Sequence, residues 1–127
     1  MKISEFAKAT GISNDTIRYY EKVELLNPKI ISKHRQYNEN DIEIVQTILK
    51  LKQTGFTLQE IKMLFKWSEN ADPHKKLVKE DIQSLLEIKE IFQKKYEQIV
   101  QKENSIKQIK EVLLKAEAKI SQLLEEK

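Results

Sequence analysis

Asn14, Arg18 and Tyr19 are the residues whose types and spacing suit chemistry, and the chemistry they suit is recognition. They fall within the run Ser13-Asn14-Asp15-Thr16-Ile17-Arg18-Tyr19-Tyr20-Glu21. An arginine pairs bidentately with guanine or phosphate, and an asparagine reads adenine. A tyrosine hydroxyl donates to phosphate while its ring packs on the sugar. If the run is a helix, Ile17 and Tyr20 lie three apart and can both face inward, leaving Asn14, Arg18 and Tyr19 outward. An ordinary amphipathic surface helix has the same pattern. Catalysis has less to work with. His34 and His74 have neither a nucleophile and base nor ligand spacing around them, so no catalytic or metal-ligating residue and no cofactor is expected.

The elements around this run must hold it in place. Upstream, Ile3, Phe6 and Ala7 follow the i, i+3, i+4 spacing of a helix with one buried face. Gly11 supplies a tight turn and Ser13 a cap, so two short helices meet across a glycine turn, the signature of a helix-turn-helix. Its second helix is usually the one placed in the major groove. Leu25-Leu26-Asn27-Pro28 ends helical structure. Lys29-Ile30-Ile31 and Arg35-Gln36-Tyr37, separated by Ser32-Lys33-His34, read as a two-stranded hairpin, a basic wing beside the recognition helix. Arg35 and Tyr37 alternate along one strand, so both are expected on one face, in contact with phosphate.

Asn38 and Asp41 mark the start of a third helix carrying Ile42, Val45, Ile48, Leu49 and Lys52, with its end at Gly55. Thr57-Leu58-Gln59-Glu60 is a capping box, and Leu58, Ile61, Leu64 and Phe65 follow it on an inward face. Asp72-Pro73 is expected to open a last helix that meets no further glycine or proline before Lys127. Every seventh residue from Val78 is apolar: Val78, Leu85, Phe92, Ile99, Ile106, Leu113 and Ile120. The positions four further on, Ile82, Lys89, Tyr96, Glu103, Lys110, Glu117 and Leu124, are mixed. One continuous seam and one interrupted seam fit a coiled coil of modest uniformity. Such a helix is too long to hide against a small domain and needs a partner. Either the polar positions set register or partner, or the chain folds back between Gln101 and Ser105.

Composition narrows the classes. A chain of 127 residues holds one compact domain and an extension, without room for a separate large ligand-binding domain. Residues 1–38 carry seven Lys or Arg against four acids, a net of +3 that equals the charge of the whole chain, so the positive field sits on the proposed reading segment. The absence of cysteine excludes disulfides, iron–sulfur ligation and thiolate metal sites. No signal peptide or membrane-spanning run is seen, and a cytoplasmic location is expected.

Three motifs then stand in order. Thr16-Ile17-Arg18-Tyr19-Tyr20-Glu21, followed by Leu25-Leu26 and Pro28, resembles the opening of the MerR family of bacterial transcription regulators. Lys33-His34-Arg35-Gln36-Tyr37 resembles its Gly-Tyr-Arg-x-Tyr wing, without the glycine and the first aromatic. Gly55-Phe56-Thr57-Leu58-Gln59-Glu60-Ile61 resembles its later Gly-Phe-Ser/Thr-Leu-x-Glu-Ile.

The resemblance implies a mainly α protein: a winged helix-turn-helix domain over 1–70 and, over 71–127, a long helix for antiparallel coiled-coil dimerisation. Together with the residues already singled out, it implies DNA contacts at Asn14, Thr16, Arg18, Tyr19, Tyr20, Lys33, Arg35, Tyr37 and Lys52, the last on a second wing formed by the third and fourth helices. Dimer contacts are expected at Val78, Ile82, Leu85, Phe92, Tyr96, Ile99, Ile106 and Leu113. The implied partners are double-stranded DNA at an inverted-repeat promoter operator, a second copy of the chain and, indirectly, RNA polymerase. Cysteine-based sensing of metals, oxidants or aldehydes, which many relatives use, is excluded here. Any inducer is expected near Phe65, Trp67 and Tyr96, unless those aromatics are simply packing. The rival readings are a coiled-coil adaptor that does not touch DNA and an excisionase-like protein that only bends it.

Overall fold

The structure is a computed structural model that describes residues 1–68, 74 and 76–126. Among them, the order is α1 (Ile3–Thr10), α2 (Asn14–Lys22), β1 (Lys29–Ile31), β2 (His34–Gln36), α3 (Glu39–Gln53), α4 (Leu58–Ser68) and α5 (Lys79–Glu125). The chain divides into two compact units, Met1–Pro73 and His74–Lys127. The mainly α architecture expected from the sequence is the one observed.

The first unit is built from local signals that agree with one another. Gly11 takes φ 77°, a left-handed conformation that costs a glycine little, and its amide closes α1 on the Ala7 carbonyl at 2.8 Å. Ser13 caps α2 by accepting from the Thr16 amide at 3.1 Å. After α2 the Leu25 and Leu26 amides both return to the Tyr20 carbonyl, at 2.8 and 3.2 Å, which turns both leucines into the core. Asn38 and Asp41 form a reciprocal capping box at the start of α3, both bonds 3.0 Å, so the buried Asp41 carboxylate is satisfied. Thr57 and Glu60 do the same at α4, at 3.1 and 2.9 Å.

These elements close over Phe6, Ile17, Tyr20, Leu25, Leu26, Tyr37, Val45, Ile48 and Ile61, with Phe56, Leu58 and Phe65 packed at the margin. α1 supplies Phe6, α2 supplies Ile17 and Tyr20, and α3 and α4 supply Val45, Ile48 and Ile61. One face of α2 is thereby fixed inward and the opposite face is held out to solvent.

The hairpin differs from expectation in register. β1 and β2 pair antiparallel as Lys29 with Gln36, Ile30 with Arg35 and Ile31 with His34, so the loop is Ser32-Lys33 alone and His34 belongs to the strand. Ser32 and Lys33 both take positive φ, 51° and 66°, as a two-residue turn matched to strand twist requires. Neither is the asparagine or glycine that usually announces such a turn, which is why the sequence suggested a longer loop.

In the second unit α5 is a single helix of 47 residues, unbroken through Gln101–Ser105, and about 70 Å long at 1.5 Å per residue. The fold-back alternative is therefore set aside. The expected opening at Asp72-Pro73 lies outside the described residues; the helix begins at Lys79, with Val78 extended at its N-cap position. Val78 thus precedes the helix instead of starting its seam. The least exposed side chains of the first half include Leu85, Ile88, Phe92, Lys95 and Ile99, alternating steps of three and four. Ile82 and Tyr96, expected from the four-residue step, are 47% and 71% exposed in this chain.

Candidate nucleic-acid interface

With Ile17 and Tyr20 buried, α2 presents Asn14, Arg18, Tyr19 and Lys22 to solvent. Thr16 is half-buried, its Oγ1 2.9 Å from Ser13 Oγ, so this hydroxyl is already engaged in the cap. The hairpin stands beside α2. One groove between them is lined by Lys2, Ile3, Arg18, Lys33, His34 and Arg35, and a second by Arg18, Glu21, Lys22 and Arg35. Arg18 and Arg35 line both grooves, so the recognition helix and the wing meet in one cationic surface. Lys2, Lys22 and His34 join it without having been singled out from the sequence. Lys52 is exposed in the last turn of α3, where it also favours the helix dipole.

Two expected contacts are corrected. Tyr20 is 1% exposed and Tyr37 2%, so neither ring reaches a ligand. Tyr37 follows β2 instead of alternating within it. Its amide donates to the Met1 carbonyl at 2.8 Å, its carbonyl accepts from the Met1 nitrogen at 2.6 Å, and its ring stacks on Phe6 at 4.3 Å between centroids. Those bonds draw the chain inward and break the alternation that would have put Tyr37 beside Arg35.

The Tyr37 hydroxyl donates to Glu21 Oε1 at 2.5 Å, and Glu21 Oε2 lies 2.9 Å from Arg35 Nε. Burial first, and then the bond to Glu21 and its negative charge, push the Tyr37 phenol well above its ordinary range, against the weaker pull of Arg35 and Arg18. Since the proton is held more tightly in the folded state, this contribution is complete below the ordinary phenol pKa near 10 and is lost as pH rises toward the folded value. Thermal melts of the wild type should therefore fall steadily above about pH 10. Tyr37→Phe should flatten that dependence; an equally steep alkaline loss in the variant would place its origin elsewhere.

Phe65 packs against the front core, and the Lys66 ammonium lies 5.2 Å from the centre of the Trp67 ring. Among the described residues no helix is long and apolar enough to cross a membrane.

A short helix capped at a glycine turn, its outer face cationic and flanked by a basic hairpin, defines a winged helix-turn-helix. Residues 1–66 match the MerR HTH family regulatory protein profile, and the chain belongs to that family. An HTH-type transcriptional regulator of Pseudomonas aeruginosa is 42% identical over 72 residues, covering 54% of each chain. The HTH-type transcriptional regulator CueR of Yersinia pestis is 35% identical over 95 residues, covering 73% of this chain and 67% of its own. The chain spans about half the length of the first curated relatives it matches.

Among solved structures, a MerR family transcriptional regulator from Bacillus thuringiensis superposes with a TM-score of 0.53 at 26% identity, covering 96% of this chain and 97% of that one. HiNmlR, a MerR family regulator lacking the sensor domain and bound to promoter DNA, gives 0.57 over 85% of this chain and 76% of its own, at 22% identity. At that identity the second likeness speaks for the fold alone.

Proposed function

We propose that this protein is a sequence-specific, DNA-binding transcriptional regulator that acts as a homodimer on an inverted-repeat promoter operator. α2 enters the major groove, with Asn14, Arg18 and Tyr19 facing the bases and adjoining backbone. The β1–β2 wing lies on flanking phosphates through Lys33 and Arg35, and Lys52 approaches the backbone from the end of α3. The observation that carries this reading is the convergence of Arg18 and Arg35 on one exposed surface while the other face of α2 is locked in the core.

A single reading head gains roughly 1–3 kcal/mol per good base contact, too little to select one site in a genome. Two heads at fixed spacing add those energies and demand a palindrome. α5 supplies the spacing by pairing antiparallel with its equivalent in a second copy. Bending and untwisting the DNA to bring promoter elements into register for RNA polymerase costs about several kcal/mol, offset by backbone contacts at both wings. The protein works in the cytoplasm, where its target lies.

Footprinting on the DNA upstream of its own gene tests this: protection with dyad symmetry is expected, and asymmetric protection rejects the homodimeric reader. Arg18→Ala should weaken operator binding by about tenfold or more and relax sequence preference. Arg35→Ala should weaken all duplexes alike and lower the salt slope by about one. Unchanged operator affinity in Arg18→Ala would remove α2 from the groove.

A further inference from the structure

Glu21 is an acid in the last turn of α2, where the helix dipole disfavours negative charge, and it lines the cationic groove through which the proposed polyanion is bound. Its placement is nonetheless well defined. The side chain is 12% exposed, against 60% for Arg35, and its two oxygens are divided between the Tyr37 hydroxyl and Arg35 Nε. The contact to Arg35 uses the inner donor of the guanidinium. The two terminal nitrogens form the fork that matches a phosphate.

We propose that Glu21 is a positioning residue for DNA recognition: it orients the Arg35 fork toward a backbone phosphate and ties the wing to the recognition helix through Tyr37 and Arg35 together. This assignment rests on the DNA-binding reading above and adds a residue that does not touch DNA itself. Two effects oppose each other when the acid is removed. Loss of a negative charge beside the duplex reduces repulsion and tightens binding. Loss of the anchor frees a long, flexible arginine, whose ordering must then be supplied at each encounter, and weakens it. The division of both carboxylate oxygens between two wing-side partners makes the second effect the larger.

The test is fluorescence anisotropy of the full chain on a duplex from upstream of its own gene, over a salt series. It compares wild type, Glu21→Gln, Arg35→Ala, Arg35→Lys and the Glu21→Gln/Arg35→Ala double variant. Glu21→Gln is expected to weaken binding by about tenfold and lower the salt slope by about one phosphate contact. In the Arg35→Ala background the same change should cost nothing further.

A merely structural role would lower the melting temperature without moving the slope measured well below it. Arg35→Lys replaces an exposed residue and keeps the charge and the pairing with Glu21 but lacks the fork, so it should bind nearly as weakly as Arg35→Ala. It decides the matter should Glu21→Gln fail to fold. The proposal is overturned if Glu21→Gln binds as tightly as wild type with an unchanged slope, if its loss adds fully to that of Arg35→Ala, or if Arg35→Lys stays within about twofold of wild type. Wild type showing no salt-dependent duplex binding would instead defeat the DNA-binding reading itself, and the assignment with it.

Discussion

A chain carrying glutamate at both Ile106 and Leu113 should be monomeric and should lose about a thousandfold or more of its operator affinity, falling toward non-specific binding. In the isolated chain these side chains are 59% and 63% exposed, with Ile109 and Leu123 at 59% and 56% on the same stripe. A helix of this length with an apolar stripe open to water is unfavourable unless a partner covers it. Each substitution occurs twice in a homodimer, so four apolar side chains are lost, at about 1.5–3 kcal/mol apiece for full burial. That sum is comparable to the roughly 12 kcal/mol of an entire nanomolar association, before the cost of desolvating four carboxylates.

Glutamate sustains helix about as well as the residues it replaces, so far-UV circular dichroism of the monomer should remain strongly helical. Sedimentation equilibrium reports the stoichiometry and a mobility-shift titration the affinity. A double variant that remains a dimer would show that α5 does not join the subunits through this face.

In α5 the single long helix was legible, because no glycine or proline interrupts it. Apolar residues also recur at every seventh position through Leu85, Phe92, Ile99, Ile106 and Leu113, the pattern from which a pairing face was expected. In the first unit the caps were legible: Ser13, Asn38 with Asp41, and Thr57 with Glu60 are short-range patterns whose partners lie three residues away. Such local signals survive folding because tertiary contacts do not compete with them.

What escaped was set at long range. Strand alternation put Tyr37 on the Arg35 face, but pairing with Met1 and stacking on Phe6 ended the strand one residue earlier and turned the ring inward. Tyr20 was legible as inward-facing from its spacing to Ile17, and its assignment to DNA came from the family motif alone. Glu21 carried a signal that was not used. It lies four residues after Ile17 and next to Tyr20, so the inward face of α2 runs on to an acid. A half-buried carboxylate at the end of such a face calls for a partner, and the arginine and tyrosine of the wing were the groups within reach.

That long-range packing carries the second large prediction. Phe6→Ala should destabilise the first unit by about 3–5 kcal/mol for the lost transfer energy and cavity, with about 0.5–1.5 kcal/mol more from the lost stacking on Tyr37. Phe6 is fully buried, and its ring lies 12° from parallel with that of Tyr37. A small domain holds only about 5 kcal/mol or a little more in reserve, so the variant should sit near its unfolding midpoint at physiological temperature. At roughly 4–8 °C per kcal/mol for a domain of this size, the melting temperature should drop by more than about 12 °C. The loss reaches the reading surface, because Tyr37 is the link between Phe6 in the core and Glu21 beside Arg35. Phe6→Leu keeps most of the apolar volume and should recover much of the stability while leaving the Tyr37 ring without its stacking partner. Near-ultraviolet circular dichroism follows the tyrosine environment of this unit, where far-ultraviolet signal would be dominated by α5. A melting shift of less than about 4 °C for Phe6→Ala would mean that the core collapses around the vacancy, and that the stack with Tyr37 does not hold the wing in place.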